Sequence, residues 1–285
     1  MKISIAKEII KDRKQIIDSL IYLSNEEYEE LDLNLSSVFL FKIIDNYFQI
    51  VYANYLDFIQ TIDNDSIELL EKSESPLLLD RFYMNKFKIE SNRKFINYLS
   101  SFRTLIDHIP NIFTSEIKKD FQLFLNSLYD NEFSYRFMYK LRNYTQHCGL
   151  PITKYESKLD HSFIEIYLKM QAEHLLNSYD SWGVTVKTDL KKYHDIDSKS
   201  IIIEHFNQVR KIYSKTLFLL KDELLLKFNR IEKSIEKFKG DHKLLILLEN
   251  DNGELDSITY IPLEEIEEFK KLFFTNCDYH LDINL

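Results

Sequence analysis

Apolar residues recur along most of this chain at the three- and four-residue spacing of helices buried on one side. Val38, Phe41, Ile44, Phe48, Val51, Tyr55 and Ile59, with Phe39 widening the surface, predict one long helix over residues 35–62. Phe95, Leu99, Phe102, Ile106 and Ile109 follow at spacings of 4, 3, 4 and 3, with Ser91 or Asn92 as the N-cap and Pro110 as the stop. The next helix starts near Ser115 and carries Phe121, Phe124 and Leu128. After an irregularity at Asp130-Asn131 it continues through Phe137, Leu141, Tyr144 and Cys148. Joined by only a few residues, these two helices read as an antiparallel hairpin. Residues 198–238 predict a single helix of about 60 Å, its stripe running from Ile202 through Phe206, Val209 and Tyr213 to Phe238, with Gly240 beyond it. So long a stripe suits a bundle spine or a dimer seam.

Alternation at period two is rarer. Ile164, Ile166, Leu168 and Met170 alternate with polar neighbours and predict a strand, and residues 184–188 suggest a second. Residues 244–248 and 258–261 flank Asn252-Gly253 as a hairpin would, and Pro262 opens an acidic amphipathic helix through Phe274. At the start, residues 3–5 suggest a short strand and the stretch to Leu23 a helix. The carboxylates from Glu26 to Asp32 read as a loop or solvated face, and residues 63–75 as an acidic loop with room for one helical turn, bounded by Ser75-Pro76. The expected fold is mainly α: a helical bundle with a core helix pair and a few peripheral β-strands. It divides into an N-terminal helical region (1–90), the helix pair (91–151) and a C-terminal region (152–285), or forms one compact domain.

Composition sharpens this. Only 4 Gly and 4 Pro occur in 285 residues, so turns are few and elements long, and 45% hydrophobic residues suffice for a substantial core. Trp182, the single tryptophan, is expected to anchor that core. No run of roughly 18 apolar residues and no signal-peptide pattern is present, so the protein is expected in the cytoplasm, away from membranes. Cys148 and Cys277 belong to no CxxC or Cys/His cluster, which argues against structural zinc. The absence of a P-loop, GxGxxG or GxSxG removes support for nucleotide hydrolysis, dinucleotide binding and α/β-hydrolase chemistry.

The net charge of −9 disfavours a general nucleic-acid binder, yet bases are concentrated in two stretches. Residues 133–158 hold Arg136, Lys140, Arg142, Lys154 and Lys158 against Glu156 alone, and residues 82–103 hold Lys86, Lys88, Arg93, Lys94 and Arg103 against Glu90 alone. Either these helices focus a phosphate backbone onto one cleft, or their bases pair with the acidic remainder of the surface.

The helix ending at Gly149 and Pro151 carries the candidate chemistry. Gly149 is expected to supply a left-handed turn there. At about 100° per residue, Phe137, Leu141, Tyr144 and Cys148 share one side, and Tyr135, Arg136, Tyr139, Arg142, Asn143, Gln146 and His147 the other. Arg142 and His147 are separated by about 140°, with Asn143 and Gln146 between them. His147 sits in the last turn, where the carbonyl end of the helix favours imidazolium. Arginine's fork matches phosphate oxygens, and histidine's ordinary pKa of about 6.5 suits proton transfer at neutral pH.

Arg142-Asn143 followed after three residues by His147, at the end of a helix, resembles the motif of the HEPN superfamily. The resemblance covers about residues 92–151. It implies a HEPN-like core helix pair and, as in many members, a metal-independent endoribonuclease of toxin–antitoxin or abortive-infection antiphage type. In such enzymes two protomers bring their motifs together, so a homodimer is implied. His147 would be general base or acid, Arg142 would hold the phosphate, Asn143 would orient either, and products would end in a 2′,3′-cyclic phosphate. Arg136, Tyr139, Lys140 and Gln146 would contact RNA. No cofactor or metal is called for, and an antitoxin or defence-system protein is the implied partner besides RNA. The rival reading is a catalytically inactive HEPN-like scaffold, antitoxin or other helical interaction module. Arg103 and His108 repeat the Arg–His spacing one helix earlier. His161, His174, His194 and His205 have no metal-like spacing with one another and read as surface or core residues.

Overall fold

A computed structural model describes residues 2–11, 13–72, 81–160, 163–238, 240 and 243–275. It is 69% helical, with the strands all antiparallel, so the mainly α expectation holds. Expectations placed on the Ser75-Pro76 boundary, His161 and Cys277 lie outside the described residues. No helix among the described residues is long and apolar enough to cross a membrane.

The chain divides into two compact units, residues 1–43 with 217–285, and residues 44–216. The boundaries expected near residues 90 and 151 both fall inside the second. Two long helices, α1 (Asn25–Lys72) and α7 (Ser198–Ile235), each contribute to both units.

The first unit joins the chain's two ends. Strands β1 (Lys2–Lys11) and β2 (Lys14–Tyr22) form a hairpin, as do β6 (Lys243–Glu249) and β7 (Leu255–Tyr260), and β1 pairs with β6 to give the order β2-β1-β6-β7. Gly253, at φ 79°, takes the left-handed position in the expected Asn252-Gly253 turn. Ile5 and Ala6 pair with the buried Ile246 and Leu245, and Ile3 with Leu248, across β1 and β6. Residues 6–11 and 14–22 are therefore strands, not the expected helix; β-branched residues accept a pleated backbone once a distant strand pairs along its edge. Helix α8 (Leu263–Thr275), opened by Pro262 as expected, sets Phe269 edge-on to Phe41 at 4.7 Å. The acidic stretch 26–32 is the start of α1. Ser24 and Glu27 form a capping box, each side chain accepting the other's backbone N–H, and the carboxylates lie at the positive end of the helix.

The second unit holds α2 (Arg81–His108), a 3-10 turn (Ile109–Ile112), α3 (Ser115–Asn131) and α4 (Phe133–His147). Beyond them lie β3 (Lys154–Asp160), β4 (Phe163–Gln171), α5 (Ala172–Ser178), α6 (Val184–Leu190) and β5 (Asp195–Asp197), with strand order β3-β4-β5. Helices α2 and α4 run antiparallel. Phe102 meets Tyr135 near the start of α4, and Asn92, earlier in α2, meets Ile152 just past its end. As expected, only a 3-10 turn and two residues separate α2 from the helix starting at Ser115; the irregularity expected at Asp130-Asn131 is a full break at Glu132 that divides that helix into α3 and α4. Residues 184–188 are helical: Val184 is 83% exposed while Val186 and Leu190, four apart, are buried. A strand and a short helix share the 184/186 pattern, and only the second contact of that helix separates them. Ser91 and Asn92 lie inside α2, buried, and cap nothing; Ser91 Oγ donates back to the Phe87 carbonyl. Trp182 is fully buried against Phe137 and Tyr144, its Nε1–H donating to the Leu175 carbonyl, as expected of a core anchor.

Candidate functional site

Helix α4 begins where Glu132 leaves helical geometry, at φ −110° and ψ 111°, which lets the chain turn between α3 and α4. The buried side of α4 is broader than its Phe137–Leu141–Tyr144 stripe. Tyr135, Arg136 and Met138 are buried too, because α2, α6 and the Trp182 loop approach from several sides. Tyr135 therefore leaves the polar face, and burial pushes its hydroxyl pKa well up. Cys148 is exposed, since the helix has ended there and its side chain no longer follows the stripe.

The end of α4 is held by Asn92. Its amide donates to the Ile152 carbonyl at 3.1 Å and to the Tyr155 hydroxyl at 2.7 Å, and its carbonyl accepts the Ile152 N–H at 3.1 Å. Gly149 does not take the expected left-handed conformation, and a Cβ there would make only ordinary contact with the Tyr144 hydroxyl at 3.5 Å. The stop comes instead from Pro151 and from this clasp on the chain beyond it.

Arg142 and Asn143 are half-buried on α4, and Gln146 and His147 are exposed in its last turn. Among the described residues no side-chain hydrogen bond or ion pair engages Arg142, Asn143 or His147, and the buried Nε of Arg142 has no hydrogen-bond partner. Some of the other bases in the two basic stretches are committed. Arg93 is bonded to Glu90, Arg103 to Asp107, and Lys154 to Asp195 and Glu156. Four of the ten bases in the two stretches, counting Arg136, are thus paired with acids among the described residues, and both expectations stay open.

Arg136 departs furthest from its expected role. Only 8% exposed, it donates from Nε to Asp189 at 2.7 Å and reaches the Tyr129 and Asp130 carbonyls. Burial alone would raise the Asp189 carboxyl; hydrogen bonds from Lys192 and Arg136 outweigh it and hold the pKa below the usual range. Arg136 ties α4 to α6 and is withdrawn from the RNA-contacting set. A guanidinium one helix position from the apolar stripe is drawn inward when a carboxylate waits there, and Asp189 lies 53 residues away in sequence.

Tyr139 and Lys140 face α2 and α3, where a pocket of about 510 Å³ opens. The Arg103 guanidinium lies 4.5 Å from the centre of the Tyr139 ring. His108 stacks on Tyr47 at 4.8 Å. The repeated Arg–His spacing in α2 thus has separate partners for its two members. Neither this pocket nor the next is lined by Arg142, Asn143 or His147.

A second pocket, about 550 Å³, is lined by His174 and His194 together with Lys191 and Lys192. Pairing of Gln171 with Asp195 across β4 and β5 brings these two distant histidines to one place, and His194 Nδ1 lies 3.2 Å from Asp195. Their sequence spacing carries no trace of this. His205 is a core residue as expected: fully buried, 2.7 Å from the Tyr98 hydroxyl, with its pKa pushed down to about 3 by burial. No group of three His, Cys, Asp or Glu able to hold a metal occurs among the described residues. No family model, curated protein or solved structure matches this chain.

Proposed function

We propose that the chain is a HEPN-type endoribonuclease, acting without metal on cytoplasmic RNA as a toxin or antiphage effector. The observation that supports this best is the availability of Arg142, Asn143 and His147. They lie on one helix with no internal partner, while Arg93, Arg103 and Arg136 are all held by carboxylates. Polar groups held half-buried without partners cost stability, which is tolerable where a ligand supplies the missing contacts. His147 takes the proton from a ribose 2′-hydroxyl, whose oxygen attacks phosphorus. The Arg142 guanidinium carries the added charge on the phosphoryl oxygens, and the 5′-oxygen leaves with a proton from the second acid. The His147 of a second copy supplies that acid, so the active species is a homodimer. Asn143 orients the reacting groups, and Tyr139, Lys140 and Gln146 contact the strand.

Incubation of the purified protein with total RNA is expected to yield 2′,3′-cyclic phosphate ends undiminished by EDTA. Arg142→Ala and His147→Ala should each reduce the rate by about 100-fold or more with little change in melting temperature. Loss of activity in EDTA, restored by magnesium, would overturn the mechanism. The absence of Arg142, Asn143 and His147 from both pockets favours the rival reading, an inactive HEPN-like scaffold. Wild-type protein that leaves RNA intact in all conditions supports that reading instead.

A further inference from the structure

We infer that the pocket between α2, α3 and α4 binds one nucleotide, its phosphate on Lys118 and Lys140 and its base between the tyrosines and a pair of amides. The inference builds on the RNA-contacting role proposed for Tyr139 and Lys140 and adds Arg103, Lys118, Gln122, Asn126 and Tyr129. The floor is apolar, formed by Ile106, Leu125 and Tyr135, each nearly or fully buried. Tyr129 and Tyr139 line the same pocket edge to face, at 89°, and add aromatic surface against which a planar ring can pack. Three cations against the single carboxylate Asp107 leave the lining at +2 in a chain of net −9. Lys118 and Lys140 form no ion pair among the described residues, whereas Arg103 is fixed by Asp107 and the Tyr139 face.

The amides give the base its edge contact. Gln122 donates to the Asn126 carbonyl oxygen at 2.9 Å, which leaves the Gln122 oxygen and the Asn126 amide N–H groups without side-chain partners among the described residues. An adjacent acceptor and donor on adjoining turns of α3 match the paired donor and acceptor on a nucleobase. A volume of about 510 Å³ is in the range of small-molecule pockets and exceeds what an inorganic anion fills. The apolar floor also calls for a ring, not a bare phosphate.

The same chemistry is presented by a free mononucleotide and by one residue of an RNA strand. Fluorescence anisotropy with a labelled 2′-O-methyl RNA hexamer, which cannot be cleaved through its 2′-oxygen, measures the strand. Competition by each of the four 5′-mononucleotides measures the free form. Binding of either is expected, weakened at least tenfold by Lys118→Ala/Lys140→Ala and unchanged by Lys191→Ala in the other pocket. Asn126→Asp is expected to change the order of preference among the mononucleotides. Competition by mononucleotides at micromolar concentration assigns the pocket to the free form, and hexamer binding without such competition assigns it to the strand. Lys118→Glu, at an exposed position, serves in place of the double variant if the latter melts early. Absence of binding by both probes, or an equal loss in Lys191→Ala, overturns the inference. If Arg142→Ala abolishes cleavage while the lysine variants bind as wild type does, the pocket reading falls and the catalytic reading stands.

Discussion

Single buried polar groups set two properties of the second unit. His205 sits with its Nδ1 on the Tyr98 hydroxyl and no hydrogen-bond partner for Nε2 among the described residues. Its folded pKa, about 3, lies below the ordinary value of about 6.5. Between these values the unfolded chain binds a proton that the folded chain refuses. The contribution is whole above about pH 6.5 and is lost on acidification, by about 1.4 kcal/mol per pH unit, until about pH 3. Urea titrations at pH 7 and pH 5 should therefore show His205→Gln losing about 2 kcal/mol less over that interval than wild type; equal losses would place the acid sensitivity elsewhere. Arg136 behaves differently, because its removal leaves Asp189 buried with Lys192 alone. Arg136→Ala is expected to destabilise by about 3 kcal/mol in urea. An effect below 1 kcal/mol would mean that the pair acts like an exposed one.

At the scale of elements, the end of α4 depends on a residue of α2. Asn92 makes three hydrogen bonds to residues 152 and 155, so Asn92→Ala strands the Ile152 N–H and frees the chain that follows His147. A loss of about 2 kcal/mol is expected, with a fall in RNA cleavage larger than the fall in folded fraction. Cleavage that merely tracks the folded fraction would show that the clasp serves stability alone. Asn92 has the composition of a helix cap, and its sequence neighbourhood suggested that use. Besides the Lys88 carbonyl one turn back, its partners lie 60 or more residues away, where periodicity does not reach. The elements recovered from the sequence, such as α7, β4, the β6–β7 hairpin and α8, are those whose own residues determine a period, a turn or a cap. The N-terminal hairpin and α6 were missed because their local patterns fit two periods.

For the whole molecule, the α7 stripe is no dimer seam. From Ile202 through Tyr213 to Ile235 its apolar positions are buried within one chain, as a spine would be. A homodimer must then use other surface, and the catalytic proposal requires one that apposes two α4 ends. Light scattering at micromolar concentration should give twice 34.3 kDa. A monomer that cleaves RNA would remove the need for a second His147 and turn attention to the paired histidines 174 and 194.

By itself the sequence determined the helical class, the long spine, the polar α4 end and the identity of Arg142, Asn143 and His147 as its exposed or half-exposed groups. Helix period and terminal signals are local quantities, written within a few turns of chain. Only the tertiary structure decided that Arg136 belongs to Asp189, that Arg103 and Tyr139 share a pocket, and that His174 and His194 stand together. Those pairings join residues 20 to 53 positions apart through a β4–β5 register and an α2–α4 crossing. The physical reason is that a buried charge or a lined cavity is defined by what surrounds it, and its surroundings come from other elements.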